Sequence, residues 1–134
     1  MKIKPISQES FKDVEALASY HISNTFNPPK NCYSGIGAFT DDGVLIGYIC
    51  LFPEMPRTYS IPSLATRQGH ESRGVMRALF NSLFEMLPGR YWLEVHPENN
   101  RALTFYKSLG FTFTQGTGRY NDGVYCLLGE RNEN

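Results

Sequence analysis

Hydrophobic residues in this chain follow two different spacings, which together predict an alternating order of strands and helices. Short apolar runs, or apolar residues alternating with polar ones, are typical of strands. Apolar residues at intervals of three and four are typical of helices with one buried face. The first spacing predicts seven strands, at residues 2–6, 33–40, 44–52, 59–66, 91–95, 111–115 and 124–128. The second predicts a helix that begins at Ser7 or Ser10 and continues to residue 18, and helices at residues 75–87 and 99–109.

Turn signals separate these elements without dividing the chain into domains. The Asp-Asp-Gly at 41–43 and the Asn-Asp-Gly at 121–123 are typical of hairpin turns. Pro62 lies inside a predicted strand and indicates a kink or bulge, because proline cannot donate to a strand ladder. Residues 19–31 are less regular and contain Asn-Pro-Pro at 27–29, which breaks helices. Since the sequence shows neither a linker nor a repeat, its 134 residues are predicted to form one domain, 1–134.

The charge of the chain is balanced, with 13 basic and 13 acidic residues. This balance argues against binding to nucleic acid or to an anionic membrane. No apolar run approaches the roughly 20 residues that span a bilayer, and the N-terminus lacks the apolar core of a signal peptide. Cys32, Cys50 and Cys126 are too few and too far apart for a metal knuckle or a disulfide framework. We therefore expect a reduced, cytoplasmic protein whose cysteines are small buried side chains.

Residues 93–111, at the end of the predicted strand 91–95 and beyond it, are the most informative segment. They read as a buried strand ended by Pro97, then a helix that is capped by Asn99 and stopped by a glycine. A strand, a turn and an amphipathic helix would account for most of these residues. They do not account for Glu94 inside the strand, or for the hydroxyl of Tyr106 on the apolar face of the helix. A carboxylate and a phenol near the end of one strand suggest group-transfer chemistry.

A second candidate site is the loop and helix start at residues 66–77. Amides at the start of a helix point outward and, with the helix dipole, attract an anion such as a pyrophosphate. Gly69 and Gly74 would let the backbone bend close to a ligand, and the arginines at positions 67, 73 and 77 would add positive charge. Taken alone, the glycines also fit an ordinary turn, and the arginines also fit a solvated face.

Together the two segments resemble the GNAT superfamily of acyl-CoA-dependent N-acetyltransferases. One family pattern is Asn, two residues, Ala, three residues, Tyr and a helix end at Leu-Gly-Phe. It is matched without departure by Asn99, Ala102, Tyr106 and residues 109–111. The Leu-Glu-Val at 93–95 is similar to that of the bacterial ribosomal-protein alanine acetyltransferases.

The family's loop pattern matches less well. It consists of Arg or Gln, two residues, Gly, one residue, then Gly or Ala. In this chain it falls on Glu71, Gly74 and Met76, so that only the glycine agrees. Glu71 would place a negative charge near the pyrophosphate, with a repulsion of roughly 1 to 4 kcal/mol at about 4 Å. Met76 stands where a small residue normally lets the phosphate approach the helix.

The resemblance implies a fold and a cofactor. The fold would be α/β, a GNAT-like mixed but mostly antiparallel sheet of six to seven strands with about four flanking helices. A splayed parallel strand pair would form the cofactor cleft, and the cofactor would be acetyl-CoA, used as a co-substrate. The implied contacts are Leu64, Ala65 and Thr66 for the pantetheine arm, Ser72, Arg73, Gly74, Val75, Met76 and Arg77 for the pyrophosphate, and Asn99 and Tyr106 for further cofactor contacts.

The resemblance also implies catalytic roles in direct attack of an amine on the thioester. Glu94 would be the general base, provided that partial burial makes it basic enough, and Tyr106 would be the general acid that protonates the thiolate. A backbone amide near Thr66 would polarise the thioester carbonyl. His21 and Glu54 are reserve bases, and no metal is expected.

The implied acceptor is a primary amine, either a small molecule or a peptide N-terminus. It would be bound by the segments 19–33, 53–58 and 116–123. Their aromatic and acidic residues are Tyr20, Phe26, Tyr33, Tyr120, Glu54 and Asp122. His70 and His96 are expected at the surface. The protein would be a monomer or a homodimer.

Two alternatives to an active acetyltransferase remain at this point. The first is a GNAT-like acyl-CoA-binding module that has lost turnover, which the departures at Glu71 and Met76 favour. The second is a vicinal-oxygen-chelate metalloenzyme, because that class also carries Ala-x-x-Phe-Tyr-x-x-Leu-Gly-Phe. In such enzymes strands that bear His and Glu ligands follow the motif, whereas only 23 residues without histidine follow Phe111 here.

Overall fold

The computed structural model of the chain describes residues 1–21, 34–71 and 73–132. Strands and helices alternate in it much as the hydrophobic spacing predicts. The strands are β1 (Lys2–Pro5), β2 (Gly35–Phe39), β3 (Leu45–Met55), β4 (Thr58–Thr66), β5 (Arg90–Val95), β6 (Thr112–Arg119) and β7 (Tyr125–Arg131). The helices are α1 (Phe11–His21), which follows a single 3₁₀ turn (Gln8–Ser10), α2 (Val75–Met86) and α3 (Asn100–Ser108).

The seven strands of the described residues form one sheet with the order β1-β2-β3-β4-β5-β7-β6. Neighbouring strands are antiparallel except for β4 and β5, which are parallel. This confirms the predicted mixed, mostly antiparallel sheet of six to seven strands. The connection from β4 to β5 runs through α2, as a parallel pair requires.

The parallel pair separates along its length. Residues Thr58, Ser60 and the tyrosine between them pair with residues 90–92 of β5. Beyond this point β4 continues to Thr66 and β5 to Val95, and although both ends are described they no longer pair with each other. Between two adjacent pairings, β3 advances by two residues while β4 advances by three, from Ser60 to Ser63. The extra β4 residue is a bulge beside Pro62, so the predicted irregularity is confirmed.

Two apolar clusters cover the two faces of the sheet. On one face Val75, Leu79, Phe80 and Leu83 of α2 and Tyr106 of α3 pack with buried residues of the central strands. On the other, Val14 and Leu17 of α1 pack with a second set: Ile6, Phe39, Leu45, Tyr48, Cys50 and Ala65. Because successive strand residues point to opposite faces, β3 contributes to both clusters. Strands buried on both faces explain the nearly continuous apolar run in β3.

Several predicted boundaries were wrong. Residues 53–58 were expected to form a loop, but β3 extends to Met55 and β4 begins at Thr58, so that only a tight turn at Arg57 remains. β6 extends to Arg119, four residues beyond its predicted end, which shortens the acceptor segment 116–123 to a turn. The described residues contain three α-helices and one 3₁₀ turn. Residues 22–33, which include Phe26 and Tyr33, lie outside the described residues.

The cysteines differ from their prediction. Cys126 is a free, buried thiol, as expected of a small core side chain. Cys50 is buried as expected, but it is disulfide-bonded, so the expectation of a reduced cysteine was wrong at this position. Within the described ranges, no helix is both long and apolar enough to cross a membrane. The cytoplasmic location remains a prediction.

Candidate active site

A cavity of about 550 Å³ opens where β4 and β5 separate. It brings together the two candidate segments of the sequence, the loop at 66–77 and the helix after Asn99. Its walls come from the end of β4, from the start of α2 with its preceding loop, and from α3. The lining residues are Leu64, Thr66, His70, Glu71, Gly74, Val75, Met76, Arg77, Asn99, Arg101, Ala102, Phe105 and Tyr106.

The wall formed by β4 offers a strand edge. Leu64, Ala65 and Thr66 pair with β3 on one side, while on the other side β5 has already turned away. Leu64 and Thr66 line the cavity, whereas the side chain of Ala65 is buried in the α1 cluster. An extended ligand could therefore bond to this edge as a further strand does.

The N-terminus of α2 forms the opposite wall. Gly74 precedes the helix with a φ of 77°, in the left-handed region that glycine adopts without strain. As a glycine it has no side chain to cap the first helical amides, so these remain available to an anion. Val75 is buried, and Met76 packs partly against the core below α2. Of the predicted pyrophosphate contacts, Ser72 lies outside the described residues.

The charged residues of the loop do not act as one positive cluster. The guanidinium of Arg67 donates to the carbonyl of Leu45, 2.7 Å away, and so ties the loop to β3. Arg77 lines the cavity, and its guanidinium donates to the Ser108 hydroxyl at 2.8 Å. Arg73 is exposed. The cationic contribution that the sequence predicts therefore rests mainly on Arg77 and Arg73.

Glu71 turns its carboxylate back onto its own loop. Its Oε2 accepts a hydrogen bond from the backbone amide of Gly69 at 2.7 Å, and the residue also lines the cavity. Gly69 has a φ of 91°, which allows the backbone to present this amide to the carboxylate. The carboxylate of Glu71 thus binds the Gly69 amide, in the same loop that the sequence predicts to bind the pyrophosphate of a ligand.

The helix α3 presents the motif residues as the sequence predicts. The side chain of Asn99 accepts from the Ala102 amide at 3.2 Å, which confirms the predicted cap. Tyr106 is only 8% exposed, and its ring meets those of Phe80 and Phe111 edge-on. Burial, followed by the nearby Tyr120, raises the pKa of Tyr106 to about 12. Its hydroxyl therefore keeps its proton at neutral pH and can donate it.

Glu94 is not among the residues that line this cavity. It is on β5 opposite Leu128 of β7, and its side chain is exposed, so the expected partial burial is not observed. A Cβ placed at Gly118 of β6 would lie 3.8 Å from one carboxylate oxygen of Glu94. The glycine thus leaves space above this carboxylate.

Glu54, one of the two reserve bases, does not line the cavity. Glu54, in the β3–β4 hairpin, accepts a hydrogen bond from the Ser60 hydroxyl at 3.0 Å. The side chain of His21 lies outside the described residues, as does that of Tyr20. Among residues 1–21, 34–71 and 73–132, no three His, Cys, Asp or Glu side chains are grouped as ligands for a metal ion.

A polar cluster at the end of β5 was not predicted as a unit. His96 directly follows β5, and its Nε2 lies 2.8 Å from a carboxylate oxygen of Asp122 in the β6–β7 turn. The imidazole ring also packs against the ring of Tyr120, with centroids 4.8 Å apart. Burial, then Cys126 and Glu94, raise the pKa of Tyr120 to about 12. The sequence did indicate Tyr120 and Asp122 as candidate residues of the turn. It gave no sign that His96, which was expected at the surface, contacts both of them.

Comparisons with known proteins give the family. The chain is 31% identical over 87 residues to the N-alpha-acetyltransferase RimI of Mycobacterium tuberculosis, an alignment that covers 62% of this chain and 53% of RimI. The matches span 23% and 53% of the lengths of two curated relatives.

Solved structures share the fold at low sequence identity. The ribosomal-protein-S18-alanine N-acetyltransferase of Escherichia coli aligns with a TM-score of 0.80 at 17% identity, over 98% of this chain and 93% of that one. Arabidopsis thaliana Naa50, in complex with the bisubstrate analogue CoA-Ac-MVNAL, aligns with a TM-score of 0.81 at 17% identity, over 98% and 97% of the two chains. Both likenesses concern the fold alone.

The sequence profile of the acetyltransferase (GNAT) family matches residues 2–111. This match contains the splayed strands, the loop before α2 and the whole of α3. It also decides against the vicinal-oxygen-chelate alternative, which shares only the short motif at the end of α3. Because the match covers most of the chain, this protein belongs to the GNAT family of acetyltransferases.

Proposed function

We propose that this protein is an N-acetyltransferase that moves an acetyl group from acetyl-CoA to a primary amine. The observation that carries the proposal is the cavity at which the open edge of β4, the uncapped start of α2 and the buried Tyr106 meet. These groups suit the three parts of the co-substrate: an amide-containing arm, a pyrophosphate and a sulfur leaving group. The Naa50 neighbour, which is in complex with an analogue containing CoA, supports the choice of co-substrate.

In the proposed reaction the amine attacks directly. Its nitrogen forms a bond to the thioester carbonyl carbon, and the carbon–sulfur bond breaks. The proton lost by the nitrogen passes to Glu94, through a water if the distance requires it, and the thiolate takes a proton from Tyr106. The hydroxyl of Tyr106 is buried and protonated, as an acid requires. Glu94 is exposed, so its proposed role as the base rests on its access to the incoming amine and not on the partial burial expected from the sequence.

The acceptor is proposed to be a peptide N-terminus or a small amine. The likeness to RimI and the peptide portion of the analogue bound to Naa50 favour a peptide. The acidic Glu94 and Asp122, both of which contribute to the raised pKa of Tyr120, suit a positively charged amine on the β6–β7 side. It stays a prediction that the protein is a monomer or a homodimer and that it is located in the cytoplasm.

The first test is isothermal titration with acetyl-CoA and with CoA at low salt. We expect micromolar binding of both, because the α2 amides and Arg77 offer a site for the pyrophosphate. An acetylation assay with an alanine-initiated hexapeptide and with spermidine follows, using the α-acetylated hexapeptide as the matched control. Absence of binding at millimolar cofactor would sink the proposal. Binding without transfer to either amine would favour the binding module that has lost turnover.

The substitution Glu71→Gln is expected to tighten CoA binding by about 10-fold, or about 1.4 kcal/mol. The carboxylate of Glu71 holds the Gly69 amide and carries a negative charge into the cavity. The amide of glutamine keeps the size of the side chain and removes the charge that opposes a phosphate. Isothermal titration of Glu71→Gln with CoA measures the effect.

Two controls accompany this variant. Glu85→Gln removes an exposed carboxylate from the other end of α2 and should leave the affinity unchanged. Acetyl-pantetheine lacks the pyrophosphate, so its affinity should be the same for Glu71→Gln and the wild type. Weaker CoA binding by Glu71→Gln would show instead that the carboxylate organises the loop for the cofactor.

A further inference from the structure

A polar cluster joins the end of β5 to the β6–β7 turn, and we call its three residues, His96, Tyr120 and Asp122, the His96 cluster. The imidazole ring is 24% exposed and makes contacts on two sides. Its Nε2 lies 2.8 Å from Oδ2 of Asp122, and its face packs on the ring of Tyr120. The other carboxylate oxygen of Asp122 accepts from the Val124 amide at 2.9 Å. The cluster therefore links His96 to residues that are 24 and 26 positions further along the sequence.

The hydrogen bonds of the cluster specify the tautomer of the imidazole. The backbone amide of Glu98 donates to Nδ1 of His96 at 3.1 Å, so Nδ1 acts as an acceptor. In the neutral ring the proton must then be on Nε2, which donates it to Asp122. Backbone on one side and a charged carboxylate on the other thus hold the ring in one orientation. A hydrogen bond to a charged group is stronger than one between neutral groups.

An ordinary exposed ion pair contributes little, about 0 to 1 kcal/mol. Here the ring also packs against an aromatic side chain, that of Tyr120. Gly118 lies two residues before Tyr120, and a Cβ at that glycine would be 3.8 Å from a carboxylate oxygen of Glu94, so the start of the turn is near this carboxylate. In agreement with this placement, Glu94 contributes to the raised pKa of Tyr120, and Tyr120 contributes to that of Tyr106.

We propose that His96 is a positioning residue, which clamps the β6–β7 turn onto the end of β5 so that Tyr120 forms the acceptor-side wall next to Glu94 and Tyr106. This proposal rests on the proposed acetyltransferase function. The clamp acts through the hydrogen bond to Asp122 and through ring packing on Tyr120. Gly118 lies on β6, two residues before Tyr120, and leaves the Glu94 carboxylate uncovered. Tyr120 thus narrows the path by which an amine approaches, but it does not block access to the carboxylate of Glu94.

The consequence concerns binding of the acceptor rather than of the cofactor. Loosening the clamp would let the turn move and expose Tyr120 to water. The residues of α2 and β4 that are proposed to bind the cofactor do not contact the cluster through any of these hydrogen bonds. The KM for the amine should therefore rise while the affinity for CoA stays constant.

Two variants break the clamp in different ways. In Asp122→Asn the amide has one oxygen for two donors, so either the His96 ring or the Val124 amide loses its acceptor. In His96→Phe a ring remains to pack on Tyr120, but both hydrogen bonds are lost. Glu98→Gln is the matched control, because Glu98 contributes only its backbone amide to the cluster.

The first readout does not depend on activity. With ¹³Cζ-labelled tyrosine, NMR titration follows the ionisation of Tyr120, assigned through Tyr120→Phe. In the wild type Tyr120 should ionise near its pKa of about 12, and in His96→Phe, which keeps the charge of Asp122, this value should fall toward about 10, that of a solvated tyrosine. Asp122→Asn should lower it as well, but this variant removes a charge that itself raises the pKa of Tyr120, so the titration of His96→Phe is the deciding one. Glu98→Gln should titrate like the wild type. The same titration curve in His96→Phe and in the wild type would overturn the clamp.

The second readout is steady-state kinetics with the amine that the wild type acetylates, the alanine-initiated hexapeptide or spermidine. We expect the KM for the amine to rise by about 5-fold to 10-fold in both clamp variants, with kcat within about 2-fold and the CoA dissociation constant unchanged. A fall in kcat with KM unchanged would overturn the positioning role. A wild type that binds no acetyl-CoA would overturn the proposed function and, with it, the acceptor role, while the tyrosine titration would still report on the clamp.

Discussion

Replacing Tyr106 by phenylalanine is expected to lower kcat by about 100-fold to 10,000-fold, the range in which a positioned acid contributes to rate. The phenyl ring keeps the edge-on contacts with Phe80 and Phe111, so the variant should fold as the wild type does. The variant loses the hydroxyl proton that Tyr106 is proposed to donate to the thiolate when the carbon–sulfur bond breaks. Steady-state assays with the amine acceptor, and titration with CoA, measure the rate and the affinity separately.

The pH dependence provides a further check on Tyr106. Because its pKa is about 12, the hydroxyl is protonated at neutral and mildly alkaline pH. The wild-type rate should therefore not decline through ionisation of Tyr106 until the pH approaches this value. Tyr125→Phe serves as the control, because Tyr125 is an exposed tyrosine of β7 whose hydroxyl contacts Arg119. Full activity in Tyr106→Phe would assign the proton donor to another group.

Replacing Phe80 by alanine is expected to lower the free energy of unfolding by about 3 to 5 kcal/mol, the usual cost of removing a fully buried aromatic ring. Phe80 is completely buried in α2. Its ring centroid lies 5.6 to 6.2 Å from those of four other rings, which belong to Phe84, Phe105, Tyr106 and Phe111. The alanine leaves a cavity among these four rings. The rings cannot move far enough to fill it, because the helices and strands that carry them are held in place.

Urea denaturation of Phe80→Ala and the wild type measures this loss. Phe52→Ala is the matched control, because Phe52 is 56% exposed and its removal should change stability by no more than about 0.5 kcal/mol. A change below about 1 kcal/mol for Phe80→Ala would mean that the five rings are not packed as one unit. Since Tyr106 is one of these rings, the same variant should also impair its placement in the cavity.

Features that depend on local chemistry could be predicted from the sequence. Asn99 caps α3 because its side chain reaches an amide only three residues away. The proline at 62 marks the β4 bulge because its nitrogen cannot donate to a ladder, wherever the strand lies. The boundaries of β3 and β4 were less predictable, because prolines at positions 53 and 56 suggested a loop. The hairpin accommodates them at its exposed end, with Arg57 at a φ of 60° in the turn.

The directions of charged side chains were not predictable. Arg67 was expected to face an anion, but it donates to a carbonyl in β3, 22 residues earlier in the chain. Glu94 was expected to be partly buried, but it is exposed beside β6. In both cases the outcome depends on which strand lies next to the residue. The hydrophobic pattern identifies strands without giving their order in the sheet.

The sequence by itself determined the alternation of strands and helices, the capped α3 with its inward-facing tyrosine, and the glycine that precedes α2. Each of these follows from backbone preferences and hydrogen bonds within a few residues. Only the tertiary structure decided that β4 and β5 separate after Ser60, that Glu71 holds a loop amide, and that His96 meets Tyr120 and Asp122. These features require strands that are distant in the chain to lie side by side. Their register is set by the packing of the whole sheet between its helices, which no local pattern contains.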